Sequence, residues 1–306
     1  MTLRGKKIAV TGASGFLGRY IVKALLARDA QVIAVVRNPD KVPLLRDDPR
    51  IEVRSADLAD RSALTHAFRG ADGLISNAAL FSVGNTNWKQ HFETNIEGTE
   101  NVLRAAAAAE LGRVVHVSSV AVYRKMWGRS MDEHSPQHEF QQNPSRVKVY
   151  PMSKAVSEQR AWLLAKELHL KLTCIRPSMI FGAFDPNMMP IFKKLWGRRI
   201  GILPRGLTLP LVYAGDVALA ITASLENERS IGESYNTAGG NGSFADFFKA
   251  WKAAGEPSAP IIVPFPVPLR FGFNSEKAAK DLGFRNRSFF GALQETFQLE
   301  RDPSTL

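Results

Sequence analysis

Residues 149 to 154 read Val-Tyr-Pro-Met-Ser-Lys, which sets Tyr150 four positions before Lys154 with a proline directly after the tyrosine. Pro151 has a fixed φ and no backbone N–H, so it suits the first turn of a helix and harms its interior. The spacing predicts a helix from Tyr150 to about His169, with Tyr150 and Lys154 on one face and one turn apart. A phenol beside an ammonium can move a proton, because a nearby positive charge favours the phenolate and lowers its pKa. The same pair is also a common accident, a tyrosine packed on a lysine stem at a helix start. The surrounding elements decide between the two.

A second chemical feature lies near the N-terminus, where "TGASGFLG" spaces Gly12, Gly15 and Gly18 as G-x-x-G-x-x-G. A β run over residues 8 to 11 precedes it, an amphipathic helix to about residue 28 follows, and a second β run occupies residues 31 to 36. Between a strand and a helix, glycines let the backbone approach a pyrophosphate, and the helix N-terminus holds its negative charge. The turn, with Ser14, Phe16 and Leu17 inside it, is therefore expected to bind a dinucleotide. An acidic residue at the end of the second strand would select the ribose hydroxyl of NAD, and an arginine suits a 2′-phosphate. This chain has Arg37 there, with Lys41 behind it and the nearest carboxylate, Asp40, in the turn after Pro39. NADP(H) is the preferred cofactor on that basis, with NAD(H) also accepted.

Further β runs end at Asp57 and at Asn77-Ala78-Ala79. A helix follows in "NIEGTENVLRAAAAAELG", and then comes a buried strand in "RVVHVSSVAVY" that leads to Ser118 and Ser119. Strands alternating with helices specify an α/β fold, a doubly wound parallel sheet of the Rossmann type. Its ligand belongs at the carboxyl ends of the strands, where the glycine turn, Arg37, Asp57, Asn77 and Ser119 all fall.

Bulk composition narrows the class. A chain of 306 residues with 45% hydrophobic content can build a large core, as one elaborated α/β domain or as two lobes. No apolar run approaches a membrane span, and the start lacks a signal-peptide core, so a soluble cytoplasmic protein is expected. The single cysteine, Cys174, excludes an internal disulfide and reads as a core residue. The six histidines show no metal-ligand spacing, so no metal is expected. A formal charge of +11 suggests affinity for anions, with a local basic knot at Lys193, Lys194, Arg198, Arg199 and Arg205.

Taken together, "TGASGFLG", "SADLAD", "NAA", "TNIEGTENVL", "VSSVAVY", "YPMSK", "IRPSMIFG", "LVYAGDVALAI" and "LGFRNRSFFGALQET" run in order along nearly the whole chain. This series resembles the extended short-chain dehydrogenase/reductase family, also called the NAD-dependent epimerase/dehydratase family. The resemblance implies that Tyr150 is the catalytic acid/base, that Lys154 is its charged partner and holds the ribose hydroxyls, and that Ser119 holds the substrate oxygen. It adds Asn95 near the site, and places Asp57, Leu58, Asn77, Ala78, Ala79 and Pro177 with the cofactor. It implies a dinucleotide-binding domain over residues 1–177, rejoined by 212–238, and a substrate lobe over 178–211 and 239–306. Met188, Met189, Phe192 and Trp196 would either line an apolar pocket in that lobe or form a lobe core that touches no ligand.

The function expected is hydride transfer between NADP(H) and a carbonyl or alcohol of a small, partly apolar substrate, which an anionic group would suit. A nucleotide-sugar epimerase or dehydratase is the alternative. Relatives of the dehydratase kind carry two acidic residues after the Ser/Thr, where this chain has Val120 and Ala121. Sugar-nucleotide relatives carry "RDF" before the segment aligned with Tyr213 and Asp216, where this chain has Leu209, Pro210 and Leu211. The intact Ser119, Tyr150 and Lys154 argue against a sensor that binds the dinucleotide without chemistry. Relatives often dimerise through the helices at about 95 to 110 and 150 to 168, so a homodimer is compatible. Neither nucleic acid nor a membrane is expected as a partner.

Overall fold

The structure is a computed structural model and describes residues 2–41, 48–81, 84, 86–124, 129–197, 199–239, 242–267 and 272–302. The first half runs β1 (Lys7–Thr11), α1 (Phe16–Leu26), β2 (Gln31–Val36), β3 (Ile51–Ser55), α2 (Arg61–Phe68), β4 (Gly73–Ser76), α3 (Trp88–His91), a π-helical segment (Phe92–Glu97), α4 (Gly98–Ala108), β5 (Arg113–Val117), β6 (Ser130–Met131), α5 (Val149–Glu167) and β7 (Lys171–Pro177). The second half runs β8 (Met179–Phe181), α6 (Met188–Trp196), β9 (Ile200–Arg205), β10 (Leu211–Tyr213), α7 (Ala214–Glu226), β11 (Ser234–Thr237), α8 (Phe244–Ala253), β12 (Ile261–Pro266), β13 (Gly272–Phe273), α9 (Glu276–Leu282) and α10 (Phe289–Arg301).

Seven strands form the central sheet in the order β11-β7-β5-β4-β1-β2-β3, and every neighbouring pair is parallel. The alternation of side chains along each strand divides the core in two. Ile8 and Val10 of β1, with Val32, Ala34 and Val36 of β2, join the cluster that contains the apolar faces of α1 and α7. Ala9, Ile33 and Val35 point the other way, into the cluster with α2, α4 and α5. The result is a three-layer sandwich of the Rossmann type. The chain moves outward from β1 to β3 and then crosses back to β4, so the topological switch lies between β1 and β4, where such sheets take their ligands.

The expected strand and helix boundaries shift slightly. β3 ends at Ser55, so Asp57 sits in the following turn, and β4 ends at Ser76, ahead of Asn77. Helix α5 starts one residue early, at Val149, and ends at Glu167, because His169 takes a left-handed φ of 54° that reverses the chain. The helix expected through Asn95 is interrupted by the π-helical segment before α4.

Three two-stranded parallel sheets, β8 with β10, β9 with β12, and β6 with β13, accompany the central sheet. Among them α6, α8 and α10 pack an aromatic cluster that is continuous with the α1/α7 core. Phe192 stacks on Trp196 at 5.4 Å, and Trp196 meets Trp251 edge-on at 5.2 Å. Met189, Phe192 and Trp196 are buried and Met188 is partly so, all within this cluster. Of the two readings, the lobe core is the one that agrees with the packing: Phe244, Phe247 and Phe248 of α8 fill the space against Phe192 and Trp196.

Candidate active site at the carboxyl ends of the strands

The glycine turn is held by steric fit. Gly12 has a φ of +67°, and a Cβ there would come 2.9 Å from Ala78 Cα. A Cβ on Gly18 would lie 2.1 Å from the Gly12 carbonyl oxygen, and one on Gly15 would lie 3.1 Å from it. Gly15 is the N-cap of α1; among the described residues no side chain caps this terminus, and its first turn, with Phe16, Leu17 and Gly18, carries no acid. The N–H groups of such a terminus are left for an anion. Ser14 is half-buried in the turn.

Across the switch point, the Thr11 hydroxyl accepts the N–H groups of Asn77 and Ala78, both at 3.1 Å, and Asn77 Nδ2 donates to the Gly12 carbonyl at 3.4 Å. These bonds fix the ends of β1 and β4 side by side, with Ala79 exposed beyond them. Nothing in the sequence singles out Thr11, since a threonine in a strand reads as an ordinary β former. Asp57 closes a turn, its Oδ1 accepting the Ala59 N–H at 2.9 Å. The Leu58 carbonyl accepts Asn101 Nδ2 at 2.9 Å, and its side chain occupies the place where a Cβ on Gly98 would come within 3.2 Å. Arg37 is exposed at the end of β2. The side chain of Lys41 and the whole of Arg198 lie outside the described residues. Pro177 ends β7, buried, next to β5. The uncapped helix terminus and the close-packed glycines fit a nicotinamide dinucleotide.

The proton-transfer candidates meet at the end of β5. Ser119 follows that strand and caps a short turn over Val120–Val122, its Oγ accepting the Ala121 N–H at 3.1 Å. Tyr150 stands beside it in the first turn of α5, near enough for Ser119 to act on the proton affinity of the phenol. Its ring lies 4.7 Å from Phe81 and 6.1 Å from His91. Burial pushes the phenol up to about 12, against the opposing effect of nearby Ser119. The expected lowering rests on Lys154 together with a positive nicotinamide ring, so it concerns the cofactor-bound protein. Desolvation dominates, and the Lys154 ammonium is engaged with the Val117 carbonyl at 2.9 Å.

Lys154 is 2% exposed. Burial lowers it to about 8, although Glu158, one turn on, acts the other way. The neighbouring His116 is also buried, and burial together with Lys154 holds its ring well below the usual range, so it stays neutral. Glu158 forms a buried ion pair with Arg176, whose Nε lies 3.0 Å from Oε2. Burial alone would raise the Glu158 carboxyl, but Arg176 holds it below the usual carboxylate range. Arg176 also donates to the Tyr123 hydroxyl at 2.7 Å, and that hydroxyl donates to Asn236 Oδ1 at 2.7 Å. The polar face of α5 is thereby tied to β7 and β11.

Asn95 is near the site without reaching it. Its Oδ1 accepts the Leu80 N–H at 2.7 Å, and its Nδ2 donates to the Leu80 carbonyl at 3.1 Å and to Ser153 Oγ at 3.0 Å. Ser153 in turn donates to the Tyr150 carbonyl at 2.9 Å. Asn95 thus clamps the loop carrying Phe81 to the first turn of α5. Phe81 is a feature the sequence does not flag, because a lone aromatic after a strand carries no spacing signal.

Residues 8–238 match the model of the NAD dependent epimerase/dehydratase family. The chain belongs to that family. Over 188 residues it is 32% identical to a 2-alkyl-3-oxoalkanoate reductase of Stenotrophomonas maltophilia, covering 60% of this chain and 54% of that protein. Over 184 residues it is 36% identical to a farnesyl-dihydroquinoline-oxide ketoreductase of Stigmatella aurantiaca, covering 59% and 52%. The chain thus spans about half the length of these two relatives. Tetraketide alpha-pyrone reductase 1 of Arabidopsis thaliana is 28% identical over 95% of this chain and 93% of its own. Two solved structures share the fold at a TM-score of 0.79: a dTDP-glucose 4,6-dehydratase of Streptomyces venezuelae with NAD bound (24% identity; 97% and 99% covered) and a yeast methylglyoxal/isovaleraldehyde reductase with NADPH (20%; 97% and 99%).

Proposed function

We propose that this protein is an NADP(H)-dependent reductase of a ketone or aldehyde on a partly apolar molecule. The observation that carries the reading is the placement of Tyr150 beside Ser119 and one turn before buried Lys154, with the phenol held protonated. A tyrosine kept neutral at pH 7 is suited to giving a proton away. The bound nicotinamide supplies the hydride. Ser119 and Tyr150 hold the carbonyl oxygen between two hydroxyls, and Tyr150 gives it the proton as the carbon is reduced, leaving an alcohol. The positive charge of Lys154 steadies the resulting tyrosinate and anchors the ribose hydroxyls. Asn95 acts as a positioning residue through Leu80 and Ser153. Arg37, exposed at the end of β2, would hold a 2′-phosphate and so favour NADPH over NADH.

In this reading residues 1–177 and 212–238 hold the cofactor, and 178–211 with 239–306 cover the substrate. Phe81 supplies an apolar wall beside Tyr150, and the reductase names of several relatives point to the same chemistry. Dehydratase chemistry lacks its acids, because Val120 and Ala121 follow Ser119, and the apolar run Leu209 to Leu211 stands where a pyrophosphate would need a cation. The test is a panel of aldehydes, ketones and alcohols followed at the nicotinamide absorbance with each cofactor. Consumption of NADPH by a carbonyl compound is expected. Epimer formation from UDP-glucose or dTDP-glucose without net cofactor oxidation would overturn the reading.

A further inference from the structure

β9 and β12 form an isolated two-stranded sheet with one packed face and one bare one. Their register pairs Ile200 with Ile261, Gly201 with Ile262, Ile202 with Val263, and Pro204 with Phe265. Gly201 and Ile262 face inward, so closely that a Cβ on Gly201 would lie 2.8 Å from Ile262 Cδ1. Because side chains alternate, the outer face carries Ile200 (55% exposed), Ile202 (48%), Ile261 (52%), Val263 (48%) and Phe265 (41%). Twelve large hydrophobic residues are exposed among the described residues, and these five gather on one small sheet. Contiguous apolar surface of this kind marks an interaction site.

The surroundings narrow the occupant. Neither strand carries an acid, whereas Lys194, Arg199 and Arg205 are exposed just before the sheet and at the two ends of β9. Lys193 is already paired with Glu300. A second copy of this chain would bring the same cations and the same +11 charge against themselves. Addition of a foreign strand is hindered, since Pro204, Pro264 and Pro266 remove edge donors. An anionic lipid surface meets both demands at once. Apolar side chains enter the acyl boundary while basic ones reach the phosphates.

We propose that the outer face of the β9/β12 sheet, with its basic flank, docks this protein peripherally on anionic membranes. No helix of the described residues is long and apolar enough to cross a bilayer, and peripheral docking needs none. The proposal revises the sequence expectation of no membrane partner. It stands apart from the reductase reading and can fail without it.

The experiment is vesicle flotation of the full chain with phosphatidylcholine, with and without phosphatidylglycerol. Binding is expected only with the anionic lipid and should weaken as salt rises. An Ile202→Ser/Val263→Ser variant and, separately, an Arg199→Gln/Arg205→Gln variant should each lose about tenfold or more in affinity. Should either variant unfold, a Val263→Cys protein carrying a polarity-sensitive dye gives an independent readout. Cys174 is fully buried, so the dye marks position 263, and its emission should shift to the blue on anionic vesicles. The proposal is overturned by failure to float with anionic lipid, by flotation that survives loss of the apolar face, or by a dye that stays in water. It is also overturned by a concentration-dependent dimer that the same apolar variant abolishes, which would assign the face to a second copy.

Discussion

The inward face of α5 and the aromatic cluster between α6 and α8 are equally dry and opposite in content. On α5, Ser153, Lys154 and Glu158 are buried, and each leans on a polar partner: Ser153 on Asn95, Lys154 on the Val117 carbonyl, Glu158 on Arg176. Around α6 and α8, Phe192, Trp196, Phe247 and Trp251 are buried against one another. For these three residues the type is matched to a partner of complementary chemistry, because an unmatched buried polar group is costly. In the second region, volume and shape are what the neighbours require, and several apolar residues would serve.

The contrast predicts separable failures. Tyr150→Phe keeps the ring's packing and removes the proton donor, so turnover should fall by about two to four orders of magnitude with NADPH binding intact. Steady-state rates beside a cofactor titration check this, and a variant that kept most of its activity would break the distinction. Trp196→Ala should do the reverse, lowering stability by about 3–5 kcal/mol in urea unfolding. The protein that remains folded should still bind cofactor.

Lys154 sharpens the comparison through pH. Its pKa is lowered to about 8 in the folded protein from an ordinary 10.5, so between those values the unfolded chain binds the extra proton and stability rises with pH. Lys154→Met should remove that rise, which the difference between the two unfolding curves isolates. The contribution is about 3 kcal/mol at most, since each tenfold loss of proton affinity corresponds to about 1.4 kcal/mol. The smallest effect is at the surface: Arg37→Ala should weaken NADPH by about 1.5–3 kcal/mol and leave NADH nearly unchanged, measured by calorimetry. Equal affinities for both cofactors in the parent protein would remove Arg37 from the site.

The same contrast explains what can be read from the sequence. Gly12, Gly18, Tyr150 and Lys154 stand where geometry or proton chemistry admits few substitutes, so their spacing is legible, as is the order of strands in the first half. Thr11 and Phe81 are not, because a threonine in a strand and an aromatic in a loop have many ordinary explanations. Asn95 can be placed near the site, but its sequence neighbours do not disclose that Leu80 and Ser153 consume its hydrogen bonds. Met189, Phe192 and Trp196 leave pocket and core both open because their aromatic partners lie in α8, beyond the reach of any local pattern. The apolar residues of α5 recur at mixed spacings for a related reason: its buried face is shared between alanines and the polar residues of the site.

The strand β11 completes the sheet edge beside β7, yet it is made only after α6 to α7 have been added to the chain. Until residue 237 has left the ribosome, β7 presents its N–H and C=O groups and a run of side chains buried in the finished protein, from Leu172 to Pro177, as an open template. Open apolar edges of this sort recruit other chains. The discontinuity of the sheet therefore sets a window of vulnerability during synthesis, and a chain cut after Pro177 would keep that window permanently open.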